Sequence, residues 1–105
     1  MDAHRADTLP NVQIRYYGAV RGLAGKSGED AGLAPDTTAY QLLLRLACKY
    51  GSAFRNEIFR EDGESLRDDF MLTVNETIVK HADARETTLK QGDVIALFPI
   101  FPGGG

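Results

Sequence analysis

Ala39, Leu42, Leu43, Leu46, Ala47 and Tyr50 fall at helical spacing and make one continuous apolar stripe, the signature of a helix with a single buried face. Thr38 with Gln41 three residues on forms a capping box at its start, each side chain satisfying a backbone donor of the first turn. Asp36 adds negative charge where the helix dipole favours it, and Gly51 supplies the stop. A helix with one apolar face must cover something, and the surrounding segments read as strands. In a chain of 105 residues this predicts one α+β domain, with a core modest in size but sufficient without metal or disulfide.

Residues 1–11 carry little apolar content and are expected to be a flexible arm, with His4 solvated in it. From residue 12 the pattern becomes alternation: Val12, Ile14 and Tyr16 on one face, Gln13, Arg15 and Tyr17 on the other, a half-buried strand. Gly18 ends it, and Ala19 to Ala24 reads as a short helical turn with Val20 and Leu23 at helical spacing. Glu29 to Leu33 is a weaker strand, paired with the first as a hairpin. Beyond the main helix, Phe54 to Phe59 is a second short helical piece and Glu61-Asp62-Gly63-Glu64 a turn. Phe70 to Val74 is a strand, and Ile78 and Val79 resume it after Asn75-Glu76-Thr77. Leu89 is an isolated apolar anchor before the turn Lys90-Gln91-Gly92-Asp93, where glycine suits a positive φ. Val94 to Phe98 is apolar throughout, as a central strand requires. Ile95 and Leu97 are assigned to the core, which leaves Val94, Ala96 and Phe98 on the opposite face.

Several motifs invite chemistry and fail on spacing. Gly25-Lys26-Ser27 ends like a phosphate-binding loop, but Val20 stands where the loop needs its first glycine. The acids between Glu61 and Asp69 lack the alternating ligands, central glycine and distal glutamate of a calcium loop. Cys48 is the one cysteine, so no internal disulfide forms; without a neighbouring base its role is read as structural. His81 reads as a surface residue, and no metal site is expected. Asn75-Glu76-Thr77 matches a glycosylation acceptor, without consequence in a chain lacking a secretory signal. A net charge of -3 with scattered basic residues argues against nucleic acid as a partner. No apolar stretch approaches membrane-spanning length, so no membrane partner is expected, and the expected compartment is cytoplasmic.

The remaining feature is the end of the sequence, Phe98-Pro99-Ile100-Phe101-Pro102-Gly103-Gly104-Gly105. A domain over residues 12–99 is expected to carry residues 100–105 as an extended glycine tail. Glycines lack a Cβ and can pass where a side chain would block them. Six extended residues reach roughly 20 Å, far enough to enter another protein's active site. Phe98, Ile100 and Phe101, with Pro99 and Pro102 beside them, are expected to form an exposed apolar strip that docks a partner.

Tyr17-Gly18-Ala19-Val20-Arg21, Thr38 at the helix start, Val74-Asn75, Leu89-Lys90-Gln91-Gly92-Asp93-Val94 and Phe98-Pro99 ahead of a glycine end resemble the ubiquitin-like sulfur carriers of the MoaD/ThiS type. Among these, the small subunits of molybdopterin synthase are the nearest in pattern. The resemblance spans the chain from Val12 onward and implies a β-grasp fold, with the first and last strands side by side in a mixed sheet and one main helix packed on it. It also implies chemistry at the terminus. A ubiquitin-activating-like adenylyltransferase, using ATP and magnesium, converts the glycine carboxylate to an acyl adenylate. A sulfurtransferase or cysteine desulfurase then supplies the sulfur of a thiocarboxylate. The molybdopterin synthase large subunit would receive the tail and hold the acceptor. The chain itself would bind no cofactor and catalyse nothing alone, in keeping with a sequence that offers no catalytic constellation.

Two departures stand out. The family pattern places its diglycine at Gly103-Gly104, so Gly105 is one glycine more, and Ile100 stands where proline is frequent. Gly105 is taken as the activated residue, because a third glycine adds length without width. The same chemistry could serve thiamine, cysteine or tRNA thiolation. A protein modifier attacked by a target lysine and a passive interaction domain are the other readings.

Overall fold

A computed structural model of the chain describes residues 10–100; of the arm expected over residues 1–11 only Pro10 and Asn11 are described, Asn11 as the first residue of a strand, and the rest of it, with His4, and the segment Phe101, Pro102, Gly103, Gly104 and Gly105 lie outside the described residues. The elements run β1 (Asn11–Tyr16), α1 (Gly18–Ala24), β2 (Gly28–Gly32), α2 (Ala39–Tyr50), α3 (Ser52–Ile58), β3 (Phe70–Val74), β4 (Thr77–Val79), a 3-10 turn (His81–Glu86) and β5 (Val94–Pro99). The five strands form one mixed sheet in the order β2-β1-β5-β3-β4. Only the β1–β5 pair is parallel, in register Ile14 to Ile95 and Tyr16 to Leu97. The strand order with the first and last strands at the centre, and helices supplying the crossover, is the β-grasp arrangement, an α+β fold.

The register explains which face of each strand is buried. Val12, Ile14 and Tyr16 are at most 1% exposed, and the residues between them face solvent. Ile95 and Leu97 join them in the core as the alternation predicts. On α2, Leu42, Leu43 and Leu46 are 2% exposed or less, and each such side chain contributes about 2 kcal/mol by leaving water. Tyr40, outside the expected stripe, is buried too; it meets Phe59 edge-on and donates to the Glu64 carbonyl at 2.7 Å. Phe54 and Ile58 of α3 and Leu89 complete the core.

The capping box forms as expected, with the Thr38 hydroxyl accepting from the Gln41 amide and the Gln41 side chain accepting from the Thr38 amide. Asp36 does not serve the helix dipole. It lies in the preceding turn at φ 66, and the first turn of α2 has no acid. Beside the cap, the Ala39 amide donates to Thr87 and the Leu89 amide to Thr37, tying the helix start to the segment that feeds β5.

Three further expectations are refined. Asn75 and Glu76 both take positive φ, 53 and 71, so β3 and β4 are a hairpin closed by the two-residue turn whose twist suits antiparallel strands. The Asn75 side chain donates to Asp93 at 2.9 Å and accepts from the Val94 amide at 2.9 Å, and its own amide donates to the Val94 carbonyl. The glycosylation-like triplet is thus a clasp between the hairpin turn and the start of β5. Cys48 is exposed, which corrects its assignment to a structural role. His81 is half-buried and stacks on Phe70 at 4.5 Å; it is not a free surface residue.

Candidate functional site

The site is the end of β5, where the chain leaves the sheet. Tyr16 is the last residue of β1 and pairs with Leu97. The parallel ladder carries on past it: the Tyr17 amide donates to the Leu97 carbonyl, the Tyr17 ring stacks on Phe98 at 4.5 Å with 9° between planes, and Gly18 lies under Pro99. Gly18 has φ 62, and an ideal Cβ there would lie 2.3 Å from Pro99 Cγ and 3.0 Å from its Cδ. Two conditions therefore require glycine, the backbone conformation and the missing volume. The proline ring occupies the place of a side chain.

On the other edge of β5, Phe70 pairs with Pro99 and Met71 with Phe98. The Ile100 amide donates to the Asp69 carbonyl at 2.9 Å, so the first residue of the expected tail is still fastened to the sheet. Asp69 is in turn held by Arg67, which donates from Nε and Nη2 to its two carboxylate oxygens at 3.0 and 2.9 Å. The hydrogen bonds from Arg67, ahead of the burial that opposes them, hold the Asp69 carboxyl below its usual range. The acidic loop is built as well as solvated. Asp62 accepts from the Glu64 and Ser65 amides and the Ser65 hydroxyl, Arg60 pairs with Asp68 at 2.7 Å, and Phe59 bridges to Leu66.

Phe98 is half-buried, where an exposed strip was expected, because the Tyr17 ring stacks on one face of its ring. Pro99 is also half-buried, and Ile100 is 40% exposed. The sheet face away from the helices is a shallow concavity of about 660 Å³ lined by Arg15, Tyr17, Met71, Thr73, Ile78, Val94, Ala96 and Phe98, among others. Its apolar centre runs up to the root of the tail. Ile78 is 63% exposed on the edge strand β4.

A second cluster backs the site from within. Glu29 on β2 accepts from the Tyr16 hydroxyl at 2.5 Å, from the Tyr50 hydroxyl and from Lys49 Nζ at 2.7 Å, with only 12% of its side chain exposed. Burial would raise its pKa, but the hydrogen bonds from Lys49, Tyr16 and Tyr50 outweigh that and bring it down to about 2. Burial, then the bond to this carboxylate, pushes the Tyr16 hydroxyl the other way, far above the ordinary tyrosine value. The sequence pattern missed this residue, since a lone glutamate in a weak strand carries no signal until two tyrosines and a lysine converge on it.

Gly25-Lys26-Ser27 is a helix end. Gly25 caps α1 at φ 76, its amide donating to the Arg21 carbonyl, and the Ser27 carbonyl accepts from Tyr16 as β2 begins. Among the described residues, no group of three or more His, Cys, Asp or Glu could hold a metal ion, and no helix is long and apolar enough to cross a membrane.

The segments gathered at the tail root, Tyr17-Gly18 and Phe98-Pro99, and those of the clasp, Val74-Asn75 and Gly92-Asp93-Val94, are those that carried the resemblance to sulfur carriers. The profile of the ThiS family matches residues 14–104. The chain belongs to the ThiS family. It is one of the ubiquitin-like sulfur carriers of the MoaD/ThiS type. The "Molybdopterin synthase sulfur carrier subunit" of Drosophila melanogaster is 28% identical over 94 residues, covering 90% of this chain and 91% of that protein. Among solved structures, SAMP1 from Haloferax volcanii superposes with a TM-score of 0.74 at 23% identity, over 90% of this chain and 99% of that one. Urm1 from Trypanosoma brucei gives 0.73 at 17% identity, over 91% and 97%. At these identities the two structures establish the shared β-grasp fold.

Proposed function

We propose that this ThiS-family chain is the small, sulfur-donating subunit of a molybdopterin synthase, with the carboxylate of Gly105 as its reactive group. The reading is supported above all by the family match that runs through the tail as far as Gly104, on a strand end fastened at Gly18, Tyr17 and Asp69. The Drosophila relative's name points to the molybdopterin branch. Beyond Ile100, five residues reach at most about 17 Å when extended, and Gly103, Gly104 and Gly105 would form the narrow part that enters a partner.

A carboxylate is a poor electrophile, so activation comes first. An oxygen of the Gly105 carboxylate attacks the α-phosphorus of ATP and pyrophosphate leaves, with magnesium and the acid–base groups belonging to the adenylyltransferase. A sulfurtransferase or a cysteine desulfurase brings the sulfur as an enzyme persulfide, whose outer sulfur adds to the acyl carbon. AMP departs with the electrons of the C–O bond, a second thiol then cleaves the acyl disulfide by forming a disulfide with the donor enzyme, and a thiocarboxylate remains. Held in the large subunit, its sulfur attacks a carbon of the pterin precursor and expels the oxygen substituent there, and water hydrolyses the resulting thioester, leaving the sulfur on the pterin and returning the tail to a carboxylate. This chain supplies sulfur and a shaped tail, and binds no cofactor of its own. Phe98, Pro99 and Ile100, with Phe101 and Pro102 after them in sequence, are assigned the docking strip, and Phe98 at its start lines the apolar sheet face.

Chains ending at Gly105 and at Gly104, each incubated with the adenylyltransferase, ATP, magnesium and a sulfide donor, test the assignment. Sulfur loading of the Gly105 chain is the expected result. An inert Gly105 chain beside an active Gly104 chain moves the reactive group back one residue. Loading of neither removes the sulfur-carrier reading, and conjugation to lysines in its place makes the chain a modifier.

A further inference from the structure

We infer that Gly18, eighty-one residues from Pro99 in sequence, is a positioning residue for the tail: its bare Cα is the seat that sets where the tail leaves the sheet. The inference rests on the sulfur-carrier reading for its consequence but on separate geometry for its substance. Beyond Leu97 the chain stays in register with β3, Phe98 opposite Met71 and Pro99 opposite Phe70, and three further contacts hold it. Phe98 lies against the Tyr17 ring, Pro99 fills the space above Gly18, and the Ile100 amide reaches the Asp69 carbonyl. The first fixes a ring and the last a single hydrogen bond. The middle one is a steric contact between a rigid ring and the backbone, with no side chain on the Gly18 side to yield.

Proline has a fixed φ and no amide hydrogen, so Pro99 donates no ladder bond; β3 holds the strand on one edge, and on the β1 side the place of the ring is set by packing on Gly18. Any Cβ at Gly18 displaces it, since 2.3 Å to Cγ is far inside van der Waals contact. Displacing the ring moves the next residue, and the bond from Ile100 to Asp69 lengthens or breaks. The tail then starts from a wider range of directions, and a partner channel has to select among them, which lowers the apparent affinity by the fraction competent to enter.

The geometry supplies its own rescue. Of the atoms near an added Cβ, Cγ and Cδ belong to the proline ring alone, whereas Pro99 Cβ lies at 3.5 Å, an ordinary contact. Pro99→Ala removes the first two and keeps the third. Gly18→Ala and Gly18→Ala/Pro99→Ala therefore share the cost of a non-glycine residue at positive φ, and differ only in the collision. A loss of thermal stability common to both reports the backbone, and what separates them reports the seat.

The experiment is a double-mutant cycle read in two ways on the full chain. Amide hydrogen exchange at Ile100 reports the tail root directly. KM and kcat for the chain as substrate of the adenylyltransferase, with ATP and sulfide, report its use. In Gly18→Ala, exchange at Ile100 is expected to rise and KM to increase about five-fold with kcat nearly unchanged, as loss of pre-organisation requires. In the double variant exchange at Ile100 returns toward the wild type, and because Pro99 also belongs to the docking strip its KM is compared with that of Pro99→Ala alone, which it should match. Unchanged Ile100 exchange in a folded Gly18→Ala chain overturns the inference, and so does a double variant whose Ile100 exchange is as fast as that of Gly18→Ala. If the wild type is not sulfur-loaded at all, the carrier reading fails while the exchange data still decide whether Gly18 seats Pro99.

Discussion

Replacing Glu29 with glutamine tests how firmly the sheet edge behind the site is tied to the helices. The Glu29 carboxyl titrates at about 2 against a reference of 4.5, and each pKa unit is about 1.4 kcal/mol. The ionised form thus contributes about 3 kcal/mol to folding. Glutamine keeps the shape and one carbonyl acceptor for the tyrosine hydroxyls but loses the charge, and its amide nitrogen faces a donor. A loss of about 2–3 kcal/mol at pH 7 is expected, or a fall in Tm on the order of 10 °C for a domain of this size. The pH dependence carries the sign. The folded-state pKa is depressed, so below 4.5 the unfolded chain takes up a proton that the folded chain refuses until about pH 2. The stabilisation is complete above pH 4.5 and declines as pH falls toward 2. Urea unfolding of both proteins at pH 7, 4.5, 3 and 2 measures it, and the difference between wild type and Glu29→Gln should shrink across the two lower values. A difference under about 1 kcal/mol at pH 7 would mean that the carboxylate behaves as an ordinary surface ion pair. A larger one that does not change with pH would assign the loss to packing.

Two further substitutions separate backbone from side-chain effects. Asn75→Ala removes the bonds to Asp93 and Val94 and places alanine at a positive φ; a loss of about 2 kcal/mol in denaturant unfolding is expected, and Asn75→Gly, free of the strain, should lose less. An equal loss in the two would show that the clasp alone sets the cost. Thr38→Ala deletes the hydroxyl that accepts from Gln41 and should destabilise by about 1 kcal/mol, with Thr38→Ser close to wild type in the same thermal melts.

The relation of sequence to structure follows the range of each interaction. The stripe on α2, its capping box and the alternation of β1 and β5 are local, and each is found in the fold, including the choice of Ile95 and Leu97 for the core. The β2 strand was legible only as a weak one, because Gly28-Glu29-Asp30-Ala31-Gly32 holds no large apolar residue, and its place comes from pairing with β1. Contacts between distant residues gave no local signal. Nothing around Gly18 announces Pro99, and nothing around Glu29 announces Tyr50. Cys48 was misjudged because it lies at the margin of the α2 stripe, where a small rotation of the helix decides between core and solvent. The strip at Phe98 was half right, since the aromatic partner that covers it belongs to β1's end. The motifs shared with sulfur carriers were readable in order along the chain, while their function as a seat and a clasp became visible only when the parallel β1–β5 pair brought them together.

The most direct test of the central claim is the intact mass of the chain after incubation with the adenylyltransferase, ATP, magnesium and a sulfide donor, followed by mapping of the modified peptide. A mass increase equal to exchanging one oxygen for one sulfur, confined to the peptide that ends in Gly105 and reversed when the large subunit and pterin precursor are added, is the expected result. An unmodified terminus, or sulfur found elsewhere such as on Cys48, would contradict it.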